Sequence, residues 1–451
     1  MGTATHQREL TTMRMSGLNF EAIPELSAPM RFYLTAPVFA LLAAILVISF
    51  GEQVWLSRWM PVTLAATHLL ALGVMAMVMI GSLFQVMPVL CGAAIPIRGW
   101  KLHLFHLLLV AGVVSLSSGF LGWVSFSLSF ALLGLSLGYF VFSLLRVLFW
   151  EAQGQQTRLP ISLAVLALAV LLALGLILLS GYLWGVAPGI GKSLTNLHAG
   201  IGLFGWIMLL IMAVSFQVIP MFHVTPNFSS GWRYGLIGLL VIGIVIVSLE
   251  SFGVPLPGGW LVCIVASILY SIVTLERLGK RKRKLPDVVV NYWKCGLGSL
   301  LLACLLLFSF FLPLDLLPWP VGWQTKLEVF IGLLFGLGFV LAIIQGMLLK
   351  IVPFLITLHL QRAMMRNPIA MIPLPDHYQL ISRVHMKWQF HLYIAVMLSL
   401  VLSFMMPSTT AIMALLFALN WAMIGYNILG ALKQYRICLV NLQSSFEQFK
   451  K

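Results

Sequence analysis

The stretch "LFQVMP" at residues 83–88 returns as "SFQVIP" at residues 215–220 and, less closely, as "LLKIVP" at residues 348–353. The three phrases end in Pro88, Pro220 and Pro353, so the interval between successive phrases is almost constant. This interval is long enough for four membrane-crossing helices with their connections. The sequence therefore predicts three copies of a four-helix unit.

The composition fixes the class of protein in which this repeat occurs. Of the 451 residues, 61% are hydrophobic and 9% are charged, whereas about 25% are charged in an ordinary soluble domain. Apolar runs of about 20 residues, long enough to cross a bilayer, centre near residues 41, 74, 112, 138, 170, 209, 242, 267, 301, 340, 398 and 421. We expect an all-α polytopic membrane protein with about 12 transmembrane helices as three pseudo-repeats, in contact with a lipid bilayer.

The distribution of lysine and arginine predicts the orientation. If the N-terminus is cytoplasmic, the outer connections contain only Arg58, Lys192 and Lys326, and the other basic residues lie in or beside inner segments. Both termini are then cytoplasmic. Attraction to anionic inner-leaflet lipid accounts for the net charge of +15 without a nucleic-acid partner.

The repeat divides the chain into segments. We expect a cytoplasmic N-terminal tail at residues 1–30 and four-helix units at residues 31–158, 159–289 and 290–436. The third unit includes a long cytoplasmic loop at residues 357–387, and residues 437–451 form a C-terminal cytoplasmic tail.

Two histidines occupy matching positions in the first two units. His68 and His198 precede the proline of their own phrase by nearly the same stretch of sequence, which is roughly 30 Å along a helix. Both are therefore expected near the outer ends of helices 2 and 6. Glu328 has the corresponding place in the third unit but lies about one helical turn further from its proline. Buried imidazoles bind haem iron, copper or zinc, and the alternative is an interfacial histidine bonded to water, a lipid headgroup or a carbonyl.

A second polar layer is expected at the cytoplasmic ends of the same helices. Gln85, Gln217 and Lys350 each lie three residues before a repeated proline, and His103 and His391 each follow a tryptophan by three residues. The glutamine amides are suited to bonding the backbone carbonyls that a proline leaves free, or to bridging neighbouring helices.

Twelve helices in three fours, with the phrase "THLLALGVMAMVMIGSLFQVMP" in helix 2, resemble subunit I of the haem-copper oxidase and nitric oxide reductase superfamily. The chain is also similar to the NnrS-like haem and copper membrane proteins of bacteria. By this resemblance His68 matches the helix 2 haem ligand, and His198 falls in the region of the helix 6 copper ligand. The resemblance implies haem, possible copper and a location in the bacterial cytoplasmic (inner) membrane.

The chain also departs from that family. Helix 6 lacks the histidine-proline-glutamate-valine-tyrosine phrase, helix 7 lacks a histidine pair, and helix 10 offers Glu328 in place of histidines. A terminal oxidase needs a metal with an open position. The resemblance therefore implies a haem-binding role in respiration, nitric-oxide response or oxidase maturation, with an unidentified electron-transfer or assembly partner.

The residues leave a second interpretation open. A transporter of a small solute or metal ion would place His68, His198 and Glu328 at the outer mouth of a pathway, with Lys350 and the glutamines at the inner mouth. The sequence does not decide whether the two histidines share one site. It assigns no catalytic residue.

Overall fold

The computed structural model describes residues 24–185, 191–282, 285–312, 320, 322–366 and 373–450. Within these ranges, 12 helices are long and apolar enough to cross a membrane. We number them as follows: α1 (Ser27–Trp55), α2 (Pro61–Cys91), α3 (Trp100–Phe120), α4 (Phe126–Trp150), α5 (Thr157–Trp184), α6 (Gly191–His223), α7 (Ser230–Ser251), α8 (Gly259–Gly279), α9 (Val288–Ser309), α10 (Trp323–Met365), α11 (Arg383–Met405) and α12 (Pro407–Ser445).

The expected fold class is confirmed. The described ranges are helical throughout, with turns between the helices and no strand. Helices suit this composition because a bilayer offers no water to satisfy backbone polar groups, whereas a helix bonds them internally. The chain is a multi-pass membrane protein whose outer helix faces meet lipid. The division into three repeats stays a prediction, as does the N-terminal tail, of which residues 1–23 lie outside the described ranges.

Side-chain caps begin several of the helices. The hydroxyl of Ser125 accepts a hydrogen bond from Ser127 N at the start of α4. The hydroxyls of Ser229 and Ser382 likewise accept hydrogen bonds from backbone N–H groups in the first turns of α7 and α11. Asp287 caps α9 through the backbone N–H of Val289. These caps satisfy amide groups that have no partner inside the helix.

Three helices form the interior of the bundle. In the most apolar stretch of each span, 72% of residues are buried in α2, 72% in α6 and 83% in α10, against 28–50% in the other nine described spans. The outer helices pack in series, α3 to α5 and α7 to α9, and α11 packs on α12, which packs on α1. The interior is therefore built from α2, α6 and α10, the helices that carry the repeated phrases.

Each interior helix contains a segment of wider π-helical turns. These segments are Leu69–Ala76, Ile201–Met208 and Leu334–Val340. In all three helices the segment begins at the same distance before the repeated proline. The segments also contact one another, through the Phe204 and Phe335 rings at 5.7 Å and through Met75 beside Gly336. Such turns occur often at functional sites.

The ends of α10 and α12 show the helical content of two predicted segments. The helix that contains Pro353 continues to Arg366, so the first part of the predicted loop at 357–387 is helical, and its cytoplasmic position stays a prediction. A proline removes one backbone hydrogen bond, and burial of Ile356 and Leu360 beyond it stabilises the continuation. Residues 437–450 of the predicted C-terminal tail continue the helix Thr410–Lys450, in which Leu442 is buried, and the cytoplasmic position of the tail stays a prediction. Residues 367–372 of the predicted loop lie outside the described ranges.

Close packing of α7 on α8 depends on two glycines. A Cβ atom at Gly259 would lie 2.6 Å from the backbone nitrogen of Val247 and 2.9 Å from the carbonyl oxygen of Gly243. Both neighbours are backbone atoms, which have little freedom to move aside. The small residues therefore set the separation of these helices.

We expect Gly259→Ala to destabilise the protein by about 1–3 kcal/mol, because the added methyl group forces α7 and α8 apart. The measurement is the thermal unfolding midpoint in detergent. Gly238→Ala on α7 is the matched control, since a Cβ atom there has no neighbour within 4 Å and alanine favours the helix. Equal midpoints for the two variants would contradict the role given to Gly259.

Candidate functional site

A cavity of about 500 Å³ opens near one end of the three interior helices. We call this end the histidine side, where α2, α6 and α10 begin, and the opposite end the proline side. The wall is mainly leucine and alanine, with four glycines, from α1 to α6, α10 and α12. The polar groups of the wall include His68, His198, Arg58 and Glu328. An apolar cavity with a few polar groups is the usual form of a small-molecule or cofactor site.

The structure brings His68 of α2 and His198 of α6 together across this cavity. Their ring centres are 6.5 Å apart, and the ring planes differ by 25°. Each histidine lies at or just before a π-helical segment, since Leu69–Ala76 begins directly after His68 and Ile201–Met208 begins three residues after His198. The wider turns thus begin where the two side chains meet the cavity.

A hydrogen bond fixes which nitrogen of His68 is free. Its Nδ1 lies 2.8 Å from the carbonyl oxygen of Leu64, and a carbonyl only accepts, so Nδ1–H is the donor. Nε2 then keeps its lone pair, the form in which an imidazole binds a metal. Phe120 supports the ring from one side, with ring centres 5.0 Å apart.

His198 is held against α5. Its Nδ1 is buried near Leu171 and has no well-formed hydrogen bond within the described residues. A Cβ atom at Gly175 would lie 3.1 Å from Cε1 of His198. Because Gly175 has no side chain, the imidazole of His198 can occupy the space beside it. The position of the ring therefore depends on a glycine at residue 175.

The spacing of the two rings suits one shared metal. Two imidazoles that each bind one metal through a nitrogen at about 2 Å have ring centres roughly 6 Å apart, close to the observed 6.5 Å. Among the described residues, no group of three or more His, Cys, Asp or Glu side chains is placed to hold a metal ion. A site with two imidazoles fits a cofactor that brings its own equatorial ligands, as haem does.

A single arginine joins the three interior helices at the mouth of the cavity. Arg58, in the connection before α2, forms an ion pair with Glu328 of α10, with Nε 2.9 Å from Oε2. It also donates a hydrogen bond from an Nη to Asn196 Oδ1 of α6 at 2.6 Å. Its guanidinium lies 4.5 Å from the ring centre of Trp59. We call this arrangement the mouth bridge.

The mouth bridge changes the interpretation of Glu328. Its carboxylate lines the cavity, as the sequence suggested, but it already has a cationic partner in Arg58. The role of Glu328 as a metal ligand stays a prediction. From the sequence, Arg58 was used only to predict the orientation in the membrane, and Asn196 was not among the predicted site residues. The one local clue was that Asn196 lies two residues before His198.

The predicted polar layer does not form one common environment. Gln85 is buried and Gln217 is exposed on the surface of α6, whereas Lys350 is partly buried and hydrogen-bonded to α6 and to Asp287. His103 and His391 are both exposed, and His103 accepts a hydrogen bond at Nδ1 from Arg31 at 3.0 Å. Matching sequence positions therefore face different surroundings.

A scan against models of protein families and a search of curated proteins found no match to this chain. The likeness to the haem-copper oxidase superfamily stays a prediction from the sequence motifs.

We expect Arg58→Met to lower the free energy of unfolding by about 1 kcal/mol, because both members of the ion pair are partly exposed and water weakens their attraction. The thermal midpoint of the native chain should also fall as salt is added, and that of the variant should respond less. Lys192→Met, which removes an exposed positive charge on the same side, is the control. A response to salt that is identical in all three proteins would rule out the mouth bridge as a stabilising contact.

Proposed function

We propose that this chain is a haem-binding integral membrane protein, and that His68 and His198 are the residues that would hold one haem. The observation that carries the proposal is the approach of two imidazoles from α2 and α6 to 6.5 Å across an apolar cavity of about 500 Å³. The resemblance of helix 2 to the haem-copper oxidase superfamily adds the expectation of haem. Copper held by the same histidine pair is the alternative cofactor.

The residues around the pair fit this cofactor. The hydrogen bond to Leu64 prepares Nε2 of His68 for a metal, and Gly175 gives His198 its position. The cavity wall also includes Gly202, Gly332 and Gly336. Glycine has no side chain, so a flat apolar group has room to approach the helix backbone.

The chain's own residues limit the chemistry that such a cofactor can supply. A bound haem supplies one-electron oxidation and reduction. If His68 and His198 both held the iron, two of its binding positions would be taken by the chain, whereas oxygen reduction needs a metal with an open position. We therefore assign an electron-transfer, sensing or assembly role in respiration or nitric-oxide response, and no terminal oxidase activity.

The proposed location is the bacterial inner membrane, with the proline side cytoplasmic. Support comes from the basic residues: the described part of the histidine side carries Arg58, Lys192 and Lys326 at its connections, whereas Arg98, Arg281 and Arg383 lie at the proline side. Basic residues are retained on the cytoplasmic face during insertion. An electron-transfer or assembly partner is part of the proposal, and its identity is open.

We expect the protein purified from haem-replete cells to show a Soret band and, after reduction with dithionite, the sharp visible bands of a low-spin haem. His68→Ala and His198→Ala should each remove the low-spin bands, because each removes one of the two proposed ligands. His103→Ala is the control, since that histidine is exposed and on the proline side. Haem is quantified per chain after extraction.

Other results would contradict this assignment. A band that survives unchanged in both histidine variants would place the haem elsewhere. A colourless protein with copper, lost in both variants, would replace haem by copper at the same pair. A protein with neither haem nor metal would overturn the proposal, and the alternative of a small-solute transporter would then be tested by uptake into vesicles.

Gly175→Val gives an independent test of the position of His198. The added side chain would enter the space beside Cε1 of His198, which lies 3.1 Å from the Cβ position. We expect haem content to fall several-fold while the fold is retained. Gly134→Val on α4 is the control, since the nearest atom to a Cβ there is 3.6 Å away, on Leu176. Equal haem content in the two variants would argue against His198 as a ligand.

A further inference from the structure

A cluster of charged and titratable side chains lies on the proline side, opposite the cavity. It consists of His223 at the end of α6, Asp287 at the start of α9 and Lys350 within α10. Neither His223 nor Asp287 was among the site residues expected from the sequence. The cluster joins two interior helices to one outer helix.

Lys350 makes the two contacts that tie these helices together. Its Nζ donates to Asp287 Oδ2 at 3.1 Å and to the carbonyl oxygen of Phe222 at 3.0 Å. Phe222 also packs edge to face against Phe354 of α10, with ring centres 5.6 Å apart. The other carboxylate oxygen, Asp287 Oδ1, accepts from Val289 N at 2.9 Å. Oδ2 is therefore the oxygen of Asp287 that is left for cationic partners.

His223 lies beside the same oxygen without a good bond to it. Its side chain is 0% exposed, and Nδ1 is 3.5 Å from Asp287 Oδ2. Neither ring nitrogen has a well-formed hydrogen bond within the described residues. A buried polar group without a hydrogen-bond partner is unfavourable. A hydrogen bond between His223 and Asp287 would therefore be more favourable than the present arrangement of the imidazole.

We propose that His223, Asp287 and Lys350 form a proton-operated latch between α6, α9 and α10. In the structure the carboxylate is paired with Lys350 and the imidazole is neutral. A proton from the solvent on the proline side binds Nδ1 of His223, and the imidazolium then donates to Asp287 Oδ2. The charge of the three groups rises from zero to +1. Lys350, repelled by the new cation, leaves the carboxylate and releases α10 from α9.

The exposure of the three groups gives the proton a route. Asp287 is 32% exposed and Lys350 19% exposed, while His223 is buried behind them. Solvent therefore reaches the carboxylate oxygen that the imidazole would bond. The same partial exposure lets the ammonium of Lys350 turn towards water when it leaves Asp287, because a lysine side chain is long and flexible.

Other charged groups face the cluster. The charges of Arg281, after α8, and of Lys350 act on His223. His377, the first residue of the short helix His377–Leu380, is acted on by Lys350, by Asp287 and by the preceding residue Asp376. Burial opposes ionisation of Asp287, but the contact with His223 and the charge of Lys350 outweigh it and hold the pKa of this carboxyl below its ordinary value. Asp287 thus stays charged over the range in which histidine titrates.

Two of the helices that the latch connects, α6 and α10, also line the cavity. α6 and α10 both line the cavity at the histidine side, where the mouth bridge joins them through Asn196 and Glu328. At the proline side Lys350 joins them again through the carbonyl of Phe222. Within the described residues, Lys350 thus links the α9–α10 contact of the latch to an interior helix pair that the mouth bridge also joins. The latch does not depend on haem and holds for either proposed function.

The test is hydrogen–deuterium exchange of the full chain in lipid nanodiscs, at about pH 8 and about pH 4.5. The lower value is chosen because the side chain of His223 is 0% exposed and burial disfavours the charged form of an imidazole. Rates are corrected for the intrinsic pH dependence of exchange. In the native chain we expect exchange in peptides covering 222–230 and 285–292 to rise about five-fold at the lower pH, as the helix ends open locally.

The variants separate the latch from a general effect of acid. His223→Gln should lose the pH response, because glutamine has no proton to gain. Lys350→Met should show high exchange at both pH values, since the tie to Asp287 is absent. His377→Gln, which changes a neighbouring histidine, and His103→Gln, which changes a distant one, should both keep the native response.

A native chain without the pH response overturns the proposal, as does a response that persists in His223→Gln. A response lost in His377→Gln but kept in His223→Gln would move the proton to the other histidine and overturn the assignment. If His223→Gln does not fold, Asp287→Asn takes its place, because it removes the shared carboxylate. Persistence of the response in that variant has the same meaning. Haem content has no part in any of these outcomes.

Discussion

The requirement that every backbone polar group be bonded inside its own helix governs this molecule, because a bilayer supplies no water to replace a lost bond. The twelve spans follow from it directly. The three π-helical segments are the places where the regular bonding pattern is altered, and they occur only in interior helices among the described spans. Burial among neighbouring helices makes this tolerable, since irregular backbone at membrane depth survives only inside the protein or beside a cavity.

The wider turns and the histidine pair belong to one arrangement. His68 and His198 precede the turns in α2 and α6, and the two helices approach closely enough for the rings to lie 6.5 Å apart. Helix 10 has a corresponding π segment but presents Glu328 nearby, held by Arg58. Two interior helices thus contribute ligand-type side chains, and the third contributes to the mouth bridge. This asymmetry is the physical reason why one cofactor, and not two, is proposed for the chain.

The sequence predicted what depends on local pattern and missed what depends on packing. Span length and apolar content are local properties, so all twelve spans were predictable. The depth of His68 and His198 also followed from counting residues, but their separation depends on how α2 meets α6. Gln85 and Gln217 have matching positions, yet one is buried and the other exposed, because the neighbours of α2 and α6 differ. The continuation of α10 beyond Pro353 likewise depends on partners, Ile356 and Leu360 being buried there.

The final helix, Thr410–Lys450, has 41 residues and is about 60 Å long at 1.5 Å per residue, roughly twice the thickness of the hydrocarbon core. Its second half must therefore stand clear of the bilayer on the proline side, beside the end of α10. On that face the projecting half sets a closest distance at which another large molecule can approach the short connections between the other helices.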